Sequence, residues 1–445
     1  MKITVIGAGY VGLVAAVCFA QGGHQVICLE KDEYRCKMLE NGQCPILEEG
    51  LPHMLVSALS DGRLQFTTDA EAAIPWGEFV FITVGTPAGK NGQADLNTLQ
   101  LAASEIGRFG CCGQIVVIKS TVPPGTTQMV GQAICTERSR TGRRGVLQVI
   151  CNPEFLREGT AVNDFLSPDR VVVGAEDRAT GEKLCALYRS LLRTPAPLVL
   201  TSSLNAELVK YASNSYLAVR LSYINELAAL CEKLGGDINE VTQAMGLDHR
   251  IGRSYLSAGL GYGGSCLPKD TQALAHVARR AGAPLTVLEC AMAANQSIAD
   301  RLADRVAAAS RPGGIIAVWG MSFKAGTEDT RYSPAISLMT AISRRMDCKF
   351  QIFDPASQLI EVRCPQTVSG LLSQTPEESL NGADALIIAT AWPQFQQIDM
   401  NLLSVHMRGR TLFDFVNVLD RDTVRRSGFD YHGCGQQESI LSHFS

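Results

Sequence analysis

Ile3-Thr4-Val5-Ile6-Gly7-Ala8-Gly9-Tyr10-Val11-Gly12 carries a β-branched run straight into a glycine-rich turn. Val11 to Phe19 is then apolar and helix-compatible, Gly22-Gly23 stops it, and Gln25 to Leu29 returns as a strand. Strand, tight turn, helix and strand in about 30 residues make a βαβ unit, which implies a parallel sheet.

The turn has the form G-x-G-x-x-G. Gly7 makes the bend, Gly9 lets the backbone approach a bound group, and Gly12 lets the helix lie close on the strand. The helix start offers free N–H groups and its positive dipole end to a pyrophosphate. Glu30 ends the second strand, and its carboxylate can accept hydrogen bonds from ribose hydroxyls. The pattern predicts an NAD site on Gly7, Gly9, Tyr10, Val11, Gly12 and Glu30. Two alternatives stay open at this point. A glycine turn can be purely structural, and Lys31 and Arg35 could reach the extra phosphate of NADP.

Working outward, Phe79–Val84, Ile115–Ile118 and Leu147–Cys151 read as further strands, each followed by a loop rich in Gly, Pro, Ser or Thr. Repetition of strand, loop and helix over residues 1–200 predicts a doubly wound α/β domain. Residues 201–310 change character, with Ala, Leu and Glu prominent and few strand signals. Ser202 or Ser203 can cap a helix with Glu207 in its first turn. Asn205 to Leu234 holds no Pro or Gly, which predicts one long helix ended by Gly235-Gly236. A second Rossmann-like domain is expected over 311–445. Its strands are Gly314–Gly320, Phe350–Asp354, Ala385–Ala389 and Thr411–Phe415, with a helix from Ser333 and no glycine triad.

The composition excludes several classes. The 445 residues are 46% hydrophobic and 19% charged, with a net charge of −4, so no broad basic surface for nucleic acid is indicated. No segment reaches the roughly 18–20 uninterrupted apolar residues of a membrane helix, and the strand-like run after Lys2 does not resemble a signal peptide. A cytoplasmic protein is expected. Fifteen cysteines include no Cys-x-x-Cys pair and no zinc-like Cys/His spacing, so no metal site is expected. Most, such as Cys18, Cys28, Cys151 and Cys231, lie in apolar runs and read as buried reduced thiols.

Cys266 has a different setting, Gly259-Leu-Gly-Tyr-Gly-Gly-Ser-Cys266-Leu-Pro-Lys269-Asp270. The glycines would let backbone approach a ligand, and a neighbouring cation would favour the thiolate. From residue type alone, a loop cysteine of no consequence fits equally well.

Five motifs in order settle between these readings: Gly-x-Gly-Tyr-Val-Gly12, Asn152-Pro-Glu-Phe-Leu-Arg-Glu158, Lys210-Tyr-Ala-Ser-Asn214, Gly263-Gly-Ser-Cys-Leu-Pro-Lys-Asp270 and Phe323-Lys324. Together, from residue 1 to about 420, they resemble the UDP-glucose/GDP-mannose dehydrogenase family. The resemblance implies two successive oxidations at sugar C6, using two NAD⁺ and one water. It implies that Cys266 is the nucleophile that traps the aldehyde as a thiohemiacetal and then carries a thioester. A covalent adduct is needed because an aldehyde has no hydroxyl proton to lose with the hydride. Lys210 and Asn214, four apart on one helix face, would donate to the developing oxyanion. Asp270 and Thr121 would hold or activate the water, and Glu158 would be a base near C6. Thr86, Thr121, Glu158, Arg35 and Lys269 complete the implied cofactor contacts.

The same resemblance implies substrate contacts from Glu154, Phe155, Leu156, Lys210, Asn214, Tyr255, Leu256, Gly259, Gly263, Phe323, Lys324 and Arg331. Arg250 would reach a partner's substrate across a homodimer interface. The chain departs from the family pattern at Glu49, where Pro is usual, and at Leu267, where UDP-glucose members carry Phe. It departs again at Asp414-Phe-Val-Asn417, which lacks the Arg of Asp-Gly-Arg-Asn. Leu267 and the Asp-x-Val pattern resemble GDP-mannose enzymes. Gly9-Tyr-Val-Gly, Lys119-Ser-Thr-Val-Pro and Leu156-Arg-Glu-Gly-Thr160 resemble the UDP-glucose branch, which is the favoured expectation. Without the family likeness, the Lys210–Asn214 pair could be a solvated helix face, and Glu158 could pair with Arg157 or Arg170. A two-electron hydroxyacid-type dehydrogenase would not need Cys266, and a catalytically dead sensor would not need the full set of polar residues.

Overall fold

The structure is a computed structural model, and it describes residues 1–358 and 370–436. The chain divides into two units, residues 1–213 with 272–283, and 214–271 with 284–445. Each is described by itself.

The first unit is built on an eight-stranded sheet of β1 (Lys2–Ile6), β2 (Gln25–Leu29), β3 (Leu64–Thr67), β4 (Phe79–Ile82), β5 (Ile115–Ile118), β6 (Gln148–Cys151), β7 (Val171–Gly174) and β8 (Leu198–Thr201). Its order, β3-β2-β1-β4-β5-β6-β7-β8, reverses direction between β1 and β4. That reversal opens a crevice at the strand ends, where doubly wound sheets place ligands. Ile3 pairs in register with both Val26 and Phe79. β4 and β5 are buried at every position, as strands covered on both faces must be.

The helix Tyr10–Gln21 buries nine of its twelve residues. Phe19 meets the ring of Phe81 at 4.8 Å and the edge of Phe165 at 5.3 Å. Truncating such a ring costs about 3–5 kcal/mol. The sheet is parallel as expected except at one pairing, where β7 meets β6 antiparallel through Cys151 and Gly174.

In the second unit, β9 (Gly314–Trp319), β10 (Cys348–Phe353), β11 (Gly370–Leu372), β12 (Ala385–Ile388), β13 (Thr411–Asp414) and β14 (Asp430–Gly433) form a sheet of order β11-β10-β9-β12-β13-β14. All its pairings are parallel, and the order repeats that of the first six strands. Ser333 precedes the expected helix, Pro334–Ser343.

Four long helices fall between the sheets in sequence: Ser203–Leu234, Ile238–Leu247, Leu267–Arg280 and Thr286–Ala309. The 32-residue helix from Ser203 runs for roughly 48 Å at 1.5 Å per residue. Ser202 accepts the Asn205 N–H at its start, as the sequence suggested. Gly235, at φ +80°, and the Gly236 N–H bonded to Cys231 C=O close its end. The unit boundary falls inside this helix, after Ser213. Among the described residues no helix is long and apolar enough to cross a membrane.

Candidate functional site

In the first unit, the three glycines of the β1 turn answer to distinct constraints. Gly7 sits at φ +98°, which L side chains rarely adopt. A Cβ on Gly12 would lie 1.8 Å from the Gly7 carbonyl oxygen, so helix and turn touch only because none is there. A Cβ on Gly9 would meet nothing within 4 Å, which leaves that backbone open to an incoming group.

Glu30 accepts the Ala8 N–H at 2.9 Å and the Asp32 N–H at 3.0 Å, one on each carboxylate oxygen. This fixes the carboxylate beside the turn, and each oxygen keeps a lone pair for a ribose hydroxyl. The second unit offers a control. Asp354, after β10, accepts Met321 N–H, Ser322 N–H and Ser322 Oγ on one oxygen and Ala356 N–H on the other, and is fully buried. It is consumed internally, as expected of a unit without the glycine triad.

Of the two cations that could have read an NADP phosphate, Lys31 pairs with Glu105 at 3.2 Å. Arg35 keeps a buried Nε with no protein partner among the described residues, an orphan donor that a bound dinucleotide could satisfy. The Thr86 hydroxyl donates to the Thr121 carbonyl at 2.7 Å, which joins the loops after β4 and β5. The Tyr10 hydroxyl does not face the turn. It donates to Glu48 and accepts the Gly159 N–H.

The Asn-Pro-Glu motif follows β6. Glu154 and Lys210 form an ion pair at 3.1 Å, 6% and 4% exposed, so Lys210 does not lie on a solvated helix face. Burial pushes the Glu154 carboxyl up, but Lys210, the Leu156 N–H and Lys119 outweigh it and hold the group below its ordinary range. Lys119 is buried as well, donating to Asn152 at 3.1 Å and Tyr188 at 3.0 Å. Burial, with repulsion from Lys210, brings its ammonium down to about 8 against the pull of Glu154.

Phe155 offers its ring to Arg170 at 3.9 Å and to Lys210 at 5.3 Å. Leu156 N–H is held by Glu154 at 2.6 Å. Arg157 grips Asp164, and Arg170 donates to Ser213, so both cations proposed as partners for Glu158 have other bonds. Glu207, one turn before Lys210, receives Gly125 N–H and both Thr127 donors, and so anchors the segment that follows Thr121.

In the second unit, Cys266 is not in a plain loop. Its carbonyl accepts the Asp270 N–H at 2.9 Å, which makes it the N-cap of the helix Leu267–Arg280. The half-buried thiol therefore stands at the end of a helix where N–H groups lack partners and the dipole is positive, a setting that favours a thiolate. Lys269, the neighbouring cation in the sequence, is engaged by Asp270. Asp270 is fully buried and receives the Asn214 Nδ2 at 2.6 Å, so the Asn214 amide retains one hydrogen for a ligand.

The glycines before Cys266 are also packed against the protein. A Cβ on Gly261 would strike Asn295, one on Gly263 the Tyr332 carbonyl, and one on Gly264 the Phe323 ring at 2.6 Å. Close approach is to the protein itself, and it fixes the loop ahead of the thiol. Gly259 N–H is held by Asn225, and its Cα faces the Phe415 carbonyl and Val416. Tyr255 sits at φ +59°, a conformation costing about 1–3 kcal/mol that neighbours must enforce, and Leu256 is buried beside it.

Arg331 is bidentate on Asp329, Arg250 is exposed and bidentate on Asp248, and Lys324 lies 5.7 Å from the Phe323 ring centre. Asn295, Asn225 and Glu48 carry no signal in the sequence, because each acts on a residue distant in the chain, and the partners of Glu207 and Lys119 are hidden for the same reason. Among the described residues no three His, Cys, Asp or Glu side chains are grouped to hold a metal ion.

Comparison with known proteins covers nearly the whole chain. Residues 1–192 match the NAD binding domain, 204–297 the central domain and 317–421 the UDP binding domain of the UDP-glucose/GDP-mannose dehydrogenase family. The UDP-glucose 6-dehydrogenase of Rhizobium meliloti (strain 1021) is 41% identical over 98% of this chain and 100% of its own length. The protein of that name from Pseudomonas aeruginosa is 40% identical over 98% of each. A UDP-glucose dehydrogenase structure from the archaeon Pyrobaculum islandicum aligns with a TM-score of 0.87 at 36% identity, covering 98% of each chain.

Proposed function

The chain belongs to the UDP-glucose/GDP-mannose dehydrogenase family, and from that premise we propose that it oxidises UDP-glucose to UDP-glucuronate at C6 through a covalent adduct on Cys266. NAD is its cofactor, as the matched amino-terminal domain states. When bound, NAD⁺ accepts a hydride from the sugar carbon in each of the two oxidations.

The observation that carries the covalent reading is the Cys266 thiol at a helix N-terminus, one turn from the buried Asn214–Asp270 pair. The C6 hydroxyl first loses its proton to Glu158 and a hydride, giving the aldehyde. The Cys266 thiolate then adds to the carbonyl carbon. The new C–S bond leaves an oxyanion, which Lys210 and Asn214 stabilise before it takes a proton. One such donor is worth about 3–4 kcal/mol in a transition state. Loss of that proton with the second hydride leaves a thioester. Water held by Asp270 and Thr121 attacks it, the C–S bond breaks, the thiolate leaves, and the acid remains. Glu154 keeps Lys210 charged throughout, since a buried ammonium without a counterion would neutralise.

UDP-glucose is preferred to GDP-mannose because the named relatives at 36–41% identity are UDP-glucose enzymes. Leu267 and the pattern Asp414-Phe-Val-Asn417, which resemble GDP-mannose enzymes, favour the alternative substrate. The protein is proposed to be a cytoplasmic homodimer. Tyr216, Tyr223 and Leu230, spaced by seven on the long helix, are 62%, 52% and 50% exposed. An apolar heptad stripe of that kind suits a second copy of the same helix, with Arg250 reaching the partner's substrate. The test of the reaction is an NADH-absorbance assay over UDP-glucose, GDP-mannose and UDP-N-acetyl sugars. Two NADH per UDP-glucose is expected. One NADH per sugar would favour a simple two-electron dehydrogenase.

A further inference from the structure

Glu48 takes no part in the chemistry above, yet the residue is only 4% exposed in the first unit. A buried carboxylate is tolerated where donors surround it. Here there are three. Tyr10 donates its hydroxyl, Gly159 its N–H at 2.8 Å, and Val162 its N–H at 3.2 Å.

These donors come from two functional segments. Tyr10 opens the helix that leaves the dinucleotide turn. Gly159 directly follows Glu158, and Val162 lies in the short helix Ala161–Leu166. The Gly159 N–H is shared between the Glu48 carboxylate and the Tyr10 oxygen, the latter at 2.7 Å. Both anchors therefore hold one peptide group, the one linking Glu158 to Gly159. Gly159 itself is at φ +84°, so the chain turns sharply there, and the peptide plane sets the direction in which Glu158 leaves the backbone.

We propose that Glu48 and Tyr10 are positioning residues that fix the Glu158–Gly159 peptide against the dinucleotide turn and so aim Glu158 at the reacting carbon. The proposal rests on Glu158 acting as the base near C6. A carboxylate suits the task better than an amide. It accepts from three donors at once, whereas glutamine would turn its NH₂ toward one of the backbone N–H groups.

A double-mutant cycle in kcat tests this on the full-length enzyme, with Glu48→Gln, Glu158→Gln and the pair. Misplacing an acid–base group by about 1 Å can cost on the order of 100-fold. Glu48→Gln should therefore lower kcat by about tenfold or more while leaving the KM for UDP-glucose within about threefold. In the Glu158→Gln background the same change should cost less than about twofold, because nothing remains to be aimed. Tyr10→Phe, which deletes only a hydroxyl, runs the same cycle should Glu48→Gln fail to fold. Equal fold-losses in both backgrounds would overturn the proposal, leaving Glu48 a support of the fold alone. Full activity of Glu158→Gln by itself would instead overturn the role of Glu158, and the aiming role with it.

Discussion

Glu154→Gln isolates the electrostatics behind Lys210. The substitution keeps the side-chain volume and an oxygen able to accept the Leu156 N–H, and removes only the charge. Lys210 then stays 4% exposed without its counterion at 3.1 Å, and Lys119, buried as well, adds a second positive charge. Removing one partner of a buried pair costs about 3–5 kcal/mol. For a cooperative unit of about 225 residues each kcal/mol is worth about 2–4 °C, so the melting temperature should fall on the order of 10 °C. Differential scanning calorimetry at pH 7 reads this directly.

The sign with pH follows from the depressed Glu154 group. Its contribution is present above the ordinary carboxylate range and lost as pH falls through the lower folded value. The difference between wild type and variant should therefore be flat from pH 6 to 7 and shrink only in acid. The double variant Glu154→Gln with Lys210→Met should regain much of the loss, since no unpaired charge remains at that position. A Glu154→Gln variant that melts within about 2 °C of wild type, or a double variant worse than either single, would refute the buried-pair reasoning.

Other consequences are independent of that pair. Lys119 is held near 8 in the fold against an ordinary value of 10.5, so the unfolded chain binds its proton more readily. Its contribution should therefore rise with pH between about 8 and 10.5, and denaturant titrations of wild type and Lys119→Met should diverge in that sense over this window. Tyr223→Glu should break the proposed dimer, read as a halved mass by sedimentation equilibrium, and turnover should fall with it if Arg250 acts across the interface. A fully active monomer would remove that role.

The parts of the fold carried by local pattern were legible. The β1 turn, Glu30, the long Pro- and Gly-free helix and its Gly235 stop all stand where their residues predicted. Five strands were not, although β4, β5, β6, β12 and β13, each four residues long, were read from their apolar runs. Leu64–Thr67, Val171–Gly174, Leu198–Thr201, Gly370–Leu372 and Asp430–Gly433 are short runs whose flanking residues carry no clear strand period. The direction of β7 depends on its partner across the sheet, which no local signal encodes. At the thiol a signal was present and passed over. Leu267-Pro268-Lys269-Asp270 places Pro and Asp in a first helical turn, a helix-start signature that makes Cys266 an N-cap. The protein neighbours of Gly261, Gly263 and Gly264 were not legible, because a glycine shows that something comes close without saying what. Glu48 and Asn295 were invisible because their partners lie over 30 residues away or more.

The central claim is the covalent adduct on Cys266, and intact-mass spectrometry of single-turnover mixtures tests it most directly. With enzyme in excess over UDP-glucose and NAD⁺ present, Cys266→Ser should release a small amount of NADH and retain sugar covalently, because an oxygen ester hydrolyses far more slowly than a thioester. Cys266→Ala should show no adduct and form no acid. Uronic acid made by Cys266→Ala at near wild-type rate would contradict the account and favour direct hydration of a bound aldehyde.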